Sequence, residues 1–251
     1  MGAGSLRGST MMLREESFVR AELKFGLSDV RRVQEWLCLR GFPVEVDGRD
    51  GPATQRAFVA FRDTTRGLPP KASPERVLEE LRQPIAVAVG ESFIPTPGIV
   101  PTILAIAERH LALRPRETGG QNRGPWVRLY MLGRDGRDRP WCAGFATTIY
   151  RQAAESIGER PPVPFDDSCG SIGRRARSFS RLSQTPEVGG LFLLRDRESG
   201  RGWGHVGIVV GIHGDAFETI EGNTNNGGGR EGFEVERRWR AIAGKDFVRL
   251  G

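Results

Sequence analysis

The stretch "HVGIVVGIHGDAFETIEGN", His205–Asn223, decides the fold of the C-terminal half of the chain. Residues 206–212 alternate between β-branched residues and mostly small ones, which is the two-residue period of a strand. The following His-Gly-Asp supplies a turn and "AFETIEGN" a second strand, so the pattern predicts a β-hairpin. With all three turn residues in the loop, Ile212 pairs with Ala216, and the same register sets His205 opposite Asn223.

This register has a chemical consequence for the polar residues of the hairpin. Glu221 faces Gly207 and becomes a diagonal neighbour of His205 on the same side of the sheet. A slip of one residue would turn the polar groups to the other face. A histidine oriented by a carboxylate is a candidate general base, and the alternative is a histidine satisfied inside the core. His213, in the turn, is expected to be exposed and to have no catalytic role.

A cysteine further upstream is the candidate nucleophile. In "DRPWCAGFATTIYRQA", Asp138–Ala153, apolar residues recur every fourth position and predict a helix with one buried face. Pro140 sets the start of this helix near Trp141, so Cys142 lies in the first turn. Unpaired backbone N–H groups and the positive end of the helix dipole favour a thiolate there. The alternative is a small, buried residue of the helix core.

The other two cysteines are predicted to be structural. Cys38 lies on a predicted helix, and Cys169 follows a proline-rich loop. Asp166 and Asp167, just before Cys169, are interpreted as capping residues rather than as a cation site. Three cysteines far apart disfavour both a disulfide framework and a thiolate zinc site, so no metal and no cofactor is expected.

Length and charge limit the function classes. A chain of 251 residues suffices for one large or two modest domains. No apolar run reaches the length of about 18 residues that a membrane span needs, and charges scattered through the N-terminus argue against a signal peptide. The net charge of +6 favours polyanionic partners. Because the arginines are dispersed, wall polymers are favoured over nucleic acid, and no membrane insertion is expected.

Composition divides the chain into four predicted segments. Residues 1–26, rich in Gly and Ser, are predicted to be a flexible leader, and residues 27–82 carry three short helical patterns. Residues 83–100, within a stretch that holds several prolines and glycines, are predicted to be a linker, which leaves residues 101–251 as the catalytic domain.

The helical segment "VRRVQEWLCLRGFPVEVDGRDGPATQRAFVAFR", Val30–Arg62, resembles the peptidoglycan-binding domain of many cell-wall hydrolases. The matching elements are Val33-Gln34, Gly41-Phe42, Asp47-Gly48, Gly51-Pro52-Ala53-Thr54 and the span from Ala57 to Phe61. The resemblance implies peptidoglycan as a partner, with Asp47 and Gly48 as contacts. The alternative is a helical module that has kept its core and lost its ligand.

Three motifs in the second half resemble the CHAP domain, a cysteine- and histidine-dependent amidohydrolase/peptidase of the papain-like superfamily. They are "PWCAGFATTIY", "PEVGGLFLLRDRESGRGWGHVGIVVG" and "ETIEGNTNNGGGREG". The resemblance implies an α+β fold in which a helix presents Cys142 as the nucleophile to an antiparallel sheet. It also implies His205 as the base, Glu221 as its orienting residue and Asn223 as an additional polar residue. The arginine-rich segment "RDRESGRG", residues 195–202, departs from the family pattern.

Together the two resemblances predict a peptidoglycan hydrolase that cleaves an amide at the sugar–peptide junction, in the stem peptide or in the cross-bridge. Trp141 and Trp203 are expected to contact the substrate. The enzyme is expected to be made without a signal peptide and to reach the wall after cell lysis, as an endolysin, or by dedicated export, as an antibacterial effector. A cognate inhibitor and an export machinery are further candidate partners. The alternatives are an inactive wall-binding protein and a cysteine protease or acyltransferase with another substrate.

Overall fold

In a computed structural model, the described residues are 22–90, 96–196, 202–225 and 232–250, and they divide into two compact units. Of the described residues, those up to 89 and those of 116–139 form the first unit, and those between 90 and 115 and from 140 onward form the second. The helices are α1 (Val30–Leu39), α2 (Pro52–Thr64), α3 (Pro74–Val89), α4 (Ile99–Ala112), α5 (Pro125–Tyr130), α6 (Cys142–Ser156) and α7 (Cys169–Ser178). The strands are β1 (Leu182–Ser183), β2 (Leu191–Arg195), β3 (Trp203–His213), β4 (Ala216–Thr224), β5 (Glu234–Ala241) and β6 (Asp246–Val248).

The first unit is helical, with α1, α2, α3 and α5. Helix α1 buries Trp36 and Leu37, and the Trp36 ring meets the edge of Trp126 on α5 at 6.1 Å between centroids. Pro52 begins α2, as its position after Gly51 predicts. Gly41 follows α1 with a φ of 86°, a left-handed backbone that favours glycine after a helix end.

A buried ion-pair cluster extends the first unit beyond its predicted limits. Arg128 on α5 bonds to Glu22 (2.6 Å), Glu35 (2.6 Å) and Asp135 (3.1 Å). Glu22 is fully buried, so the end of the predicted leader is part of the folded unit, while residues 1–21 lie outside the described residues. The same cluster explains why residues 116–139, predicted to lie in the catalytic domain, belong to this unit. Paired charges can be buried, whereas isolated ones cannot.

The predicted linker is partly helical. Helix α3 runs to Val89 and includes Pro84, although a proline inside a helix removes a hydrogen bond. Ile85 and Ala88 are buried and continue the apolar stripe of Leu81, and this packing favours the helix beyond the proline. Helix α3 therefore continues to Val89, inside the segment predicted to be a linker. Residues 91–95 of that segment lie outside the described residues.

The second unit is an antiparallel sheet with helices, and the predicted α+β class is confirmed. The strand order is β1-β6-β2-β3-β4-β5. Helix α6 packs on β3 and β4, and the approach is close because Gly222 has no side chain: a Cβ there would lie 2.6 Å from Phe145. A cluster of Phe192, Phe217 and Phe247 fills another part of the sheet core, with ring centroids 5.1–5.5 Å apart.

The β3–β4 hairpin reaches the predicted register by a different route. Its turn has two residues, Gly214 and Asp215, rather than three. The strand pairs next to the turn are therefore shifted by one residue from the predicted register. A β-bulge between Val209 and Gly211 takes up the extra residue, and Ile208 then pairs with Ile220 as predicted. The bulge therefore keeps the polar face of the hairpin where the sequence pattern put it.

Candidate active site

Cys142 is the first residue of α6, where backbone N–H groups lack a partner within the helix. Its side chain is 3% exposed. The imidazole of His205 and the backbone N–H of Val206, both on β3, act on the sulfur and lower the pKa of the thiol. A third contact is the Cys169 sulfur at 3.5 Å. The thiol thus lies at the meeting point of α6, α7 and β3.

His205 joins the thiol to a carboxylate. Its Nε2 lies 2.7 Å from Oε2 of Glu221. Because an imidazole has two nitrogens and Nε2 is engaged, Nδ1 is the nitrogen left for the sulfur. The His205 side chain is 17% exposed, so one side of the ring remains accessible from solvent.

Glu221 is fully buried and held from three directions. The Thr219 hydroxyl donates to Oε1 (2.6 Å), and His205 occupies Oε2. Arg240 on β5 bonds to both oxygens, from Nε to Oε1 and from the second guanidinium nitrogen to Oε2 (2.6 Å). Sequence reasoning missed Arg240, because the pairing of β5 with β4 has no signal as local as a two-residue turn.

The electrostatics favour a thiolate–imidazolium pair. The Cys169 hydrogen bond and those of His205 and Val206 hold the pKa of Cys142 well below its usual value, although burial opposes them. Burial by itself lowers the pKa of His205, but the Cys142 thiolate and then Glu221 outweigh it and raise the pKa to about 9. Burial raises the pKa of Glu221, and the bonds from Arg240 and His205 reverse this and lower it to about 2. At neutral pH His205 and Glu221 are charged, and the neighbours of Cys142 favour its thiolate.

Residues 134–223 match the model of the CHAP domain family. The match covers 90 of the 251 residues, and this part of the chain is similar to CHAP domains. Cys142, His205, Glu221 and Asn223 lie inside the matched segment, whereas Arg240 lies outside it. CHAP domains are hydrolases of the amidase or cysteine-peptidase type, and the family acts on peptidoglycan. No curated protein and no solved structure gives a significant match to the chain.

Cys169, which sequence reasoning treated as structural, also lies within the CHAP segment. It begins α7, whose N-cap Ser168 accepts a hydrogen bond from the Ser171 N–H. The preceding loop is tied to α6, because the Thr147 hydroxyl donates to the Asp166 carbonyl (3.0 Å). The contact with Cys142, together with burial, raises the pKa of Cys169 well above its usual value. Cys169 is therefore the protonated member of the pair.

Asn223 occupies a strained position near the end of β4. Its φ is 53°, and it lies at the register shift between Glu221 and Thr224. The side chain is 7% exposed, and its Oδ1 is buried without a hydrogen-bond partner among the described residues. Of the two candidates for orienting the histidine, Glu221 is the one bonded to it.

The two tryptophans that were expected to contact substrate, Trp141 and Trp203, lie in the interior of the second unit. Trp141 is fully buried as the N-cap of α6, beside Gly222. Trp203 is 7% exposed, and its indole N–H donates to Asp246 (2.7 Å) while its ring fills the space left by Gly173. Both were expected to contact substrate, but large apolar rings gain more from burial against these glycines. Residues 197–201, within the arginine-rich departure from the CHAP pattern, lie outside the described residues.

Asp47 and Gly48, the expected wall contacts, are used inside the first unit. The buried Gln34 donates to Asp47 Oδ1 (2.8 Å) and accepts from the Gly48 N–H (2.8 Å). Gln34 also reaches Thr54 Oγ1 (3.0 Å) at the start of α2. Gln34 therefore holds the Asp47-Gly48 turn in the loop between α1 and α2, and we call this set of bonds the Gln34 clamp. Asp47 and Gly48 thus have a structural role.

Within the described ranges, no group of three or more His, Cys, Asp or Glu side chains is arranged to hold a metal ion. None of the helices in the described part of the chain combines the length and apolarity needed to cross a bilayer.

Proposed function

We propose that the protein hydrolyses an amide bond of peptidoglycan, with Cys142 as nucleophile, His205 as acid and base, and Glu221 as the group that orients the histidine. The proposal rests above all on one observation: a thiol at a helix start, an imidazole on a strand that lowers the pKa of this thiol, and a fully buried carboxylate bonded to the imidazole lie together. The CHAP match supplies the wall as the substrate class.

In the first half of the reaction, the Cys142 thiolate attacks the carbonyl carbon of the amide. The carbonyl oxygen becomes an oxyanion next to the start of α6, where the backbone N–H groups, including that of Cys142, are positioned to stabilise it. The His205 imidazolium gives its proton to the leaving nitrogen as the C–N bond breaks. An amine leaves, and the acyl group remains on sulfur as a thioester.

In the second half, neutral His205 takes a proton from water as the water oxygen attacks the thioester carbonyl. The C–S bond breaks, a carboxylic acid leaves, and the thiolate–imidazolium pair is restored. Glu221 keeps Nε2 engaged throughout and stabilises the imidazolium that both halves require. Asn223 is the additional polar residue of the proposal, and its unpartnered Oδ1 is an acceptor for a substrate N–H or the attacking water.

The decisive test uses purified sacculi incubated with the wild type and with Cys142→Ala, followed by mass analysis of the released ends. We expect new amino termini or free stem peptides with the wild type and none with the variant. The identity of those ends names the bond, either at the sugar–peptide junction or within the peptides. Undiminished release by Cys142→Ala would refute the nucleophile, and its absence in both proteins would favour an inactive wall-binding protein.

A second assay separates wall hydrolysis from the remaining alternative. Denatured proteins and acylated lipids are offered to the same wild-type preparation, with Cys142→Ala as the matched blank. Cleavage or acyl transfer on these substrates without release from sacculi would favour a cysteine protease or acyltransferase.

The first unit is proposed to bind peptidoglycan and so to raise the local concentration of the catalytic unit on the polymer. Support comes from the sequence resemblance over Val30–Arg62. Binding is measured by co-sedimentation of Cys142→Ala with sacculi over a salt series, since a net charge of +6 also attracts the protein to anionic polymers. Asp47→Asn retains the acceptor that Gln34 uses, so weaker binding with unchanged melting would identify Asp47 as a wall contact.

The biological setting follows from the wall as substrate. An endolysin released at lysis and an exported antibacterial effector are both proposed settings. A cognate inhibitor protein is a partner in the second setting alone. The test directs the protein to the periplasm of a bacterial host and measures toxicity. Toxicity that is relieved by co-expression of a protein encoded next to it would favour the effector.

A further inference from the structure

The hydrolysis proposed above uses one of two thiols that lie in contact. The Sγ atoms of Cys142 and Cys169 are 3.5 Å apart, about 1.5 Å more than in a disulfide. Both residues are the first of their helices, α6 and α7, and both are buried. We infer that Cys142 and Cys169 are a peroxide-responsive pair, in which Cys169 resolves the oxidised nucleophile as a reversible disulfide.

The two sulfurs have the complementary states that this chemistry needs. Cys142 is held as a thiolate by its neighbours, and the thiolate is the form that attacks peroxide. Cys169 keeps its proton, so it does not compete for the oxidant. It becomes the attacking group only after Cys142 has been oxidised and its negative charge is gone.

Hydrogen bonds between neighbouring segments hold the contact between Cys142 and Cys169 in place. Thr147 lies on α6 one to two turns beyond Cys142, and its hydroxyl is bonded to the Asp166 backbone. The Asp166 carboxylate accepts from the Ser168 N–H (3.0 Å), and Ser168 caps α7. These bonds fix the start of α7 against α6, which keeps Cys169 at the nucleophile rather than elsewhere in the core.

The oxidation balances with hydrogen peroxide as the oxidant. The Cys142 thiolate attacks one peroxide oxygen, the O–O bond breaks, and the leaving hydroxide takes up a proton, which gives a sulfenic acid and water. Cys169 then loses its proton and attacks the sulfenic sulfur. The S–O bond breaks, a second water leaves, and the disulfide forms. The two thiols lose two electrons and two protons, and the peroxide gains both.

The disulfide changes what the site can do. Sulfur in a disulfide cannot attack an amide, so wall hydrolysis stops until a dithiol reduces the pair. It also protects the nucleophile, because a sulfenic acid without a resolving thiol goes on to the irreversible sulfinic and sulfonic acids.

The test treats the full-length wild type, Cys169→Ala, Cys169→Ser and the matched control Cys38→Ala with hydrogen peroxide. Cys38 belongs to the first unit, where its sulfur bonds to the Val44 carbonyl (3.2 Å). In the wild type and Cys38→Ala we expect a loss of two hydrogens per chain and a link between the tryptic peptides 138–151 and 152–174. Both signals disappear on reduction with dithiothreitol. The rate on sacculi falls at least about tenfold and recovers.

In Cys169→Ala and Cys169→Ser we expect no link between the peptides and a gain of two or three oxygens on Cys142. The rate on sacculi should not recover with dithiothreitol, and each variant is compared with its own untreated rate. Two variants are used so that one that fails to fold leaves the other. Oxygen addition to wild-type Cys142 without a link, or equal recovery of the Cys169 variants, would overturn the inference. The mass readout is independent of activity, so a protein that forms the link but releases nothing from sacculi refutes the proposed function and not the thiol pair.

Discussion

Arg240 and Glu221 lie on neighbouring strands, and the guanidinium donates to both carboxylate oxygens at once. Such a two-point contact fixes the rotation of the carboxylate as well as its charge. Because Glu221 Oε2 also meets Nε2 of His205 at 2.7 Å, the orientation of the imidazole depends on a residue of β5 that does not touch the thiol. Arg240 is therefore interpreted as a positioning residue of the proposed site.

Replacing Arg240 tests this interpretation. We expect Arg240→Met to lower kcat on sacculi at least about tenfold with little change in KM, because the histidine loses its fixed orientation. Arg240→Lys should recover part of the loss, since one donor remains. The matched control is Arg237→Met on the same strand, whose partners are Glu108 and Glu218, and we expect near wild-type rates. Equal effects of Arg240→Met and Arg237→Met would contradict the assignment.

Removing the charge of Glu221 should have a different signature. Glu221→Gln retains a hydrogen-bond acceptor of similar shape but no longer stabilises the imidazolium, and we expect kcat to fall by about 10²–10⁴-fold. Because the carboxylate helps to raise the pKa of His205, the alkaline limb of the pH–rate profile should move to lower pH. A profile that keeps its alkaline limb would mean that Glu221 does not set the charge of the histidine.

The wild-type pH profile follows from the ion pair itself. The attacking form needs Cys142 deprotonated and His205 protonated. The rate kcat/KM should therefore rise through the lowered pKa of the thiol and fall as His205 loses its proton at a pKa of about 9. Initial rates on soluble wall fragments between pH 4 and pH 10.5 measure both limbs, with thiolate absorbance as a second readout. An acid limb at the ordinary thiol pKa of about 8.5 would contradict the pair.

The close packing around Gly207 leaves no room for a side chain beside Glu221. A Cβ at this position would lie 2.6 Å from Glu221 Cγ and 2.7 Å from a Phe192 ring carbon, so Gly207→Ala must displace both. We expect lower thermal stability, by about 1–3 kcal/mol, and a large loss of activity at temperatures where the variant is folded. Gly204→Ala on the same strand is the control, because its nearest atom is 3.4 Å away. Melting curves and rates are compared for both; a fully active Gly207→Ala would show that the site tolerates the shift.

In the first unit, the Gln34 clamp is expected to contribute stability. Gln34→Ala leaves the buried Thr54 hydroxyl and the Asp47-Gly48 turn without their shared partner, and we expect a loss of about 1–3 kcal/mol in the free energy of unfolding. Gln55→Ala, an exposed position on α2, is the control and should change little. Denaturant unfolding followed by tryptophan fluorescence checks both, since Trp36 lies on the same helix as Gln34. A change in wall binding without a change in stability would instead favour a direct contact.

The local sequence pattern predicted those features of the fold that depend on residues close together in the chain. The start of α6 near Trp141, the α+β class and the hairpin of β3 and β4 all follow from periodicities and turn residues that act over a few positions. The pairing of Ile208 with Ile220 was also predicted correctly, although two errors cancelled there: the turn is one residue shorter than expected, and a bulge that no local signal marks restores the pairing.

The sequence by itself therefore determined which elements form and which faces are apolar, because hydrophobic period and backbone preference are properties of short segments. Only the tertiary structure decided that Arg240 clamps Glu221, that Cys169 meets Cys142 and that Trp141 is enclosed. These contacts join residues distant in the chain, so only the complete fold brings them together, and the charges of Arg240 and Glu221 can be buried because each is the partner of the other.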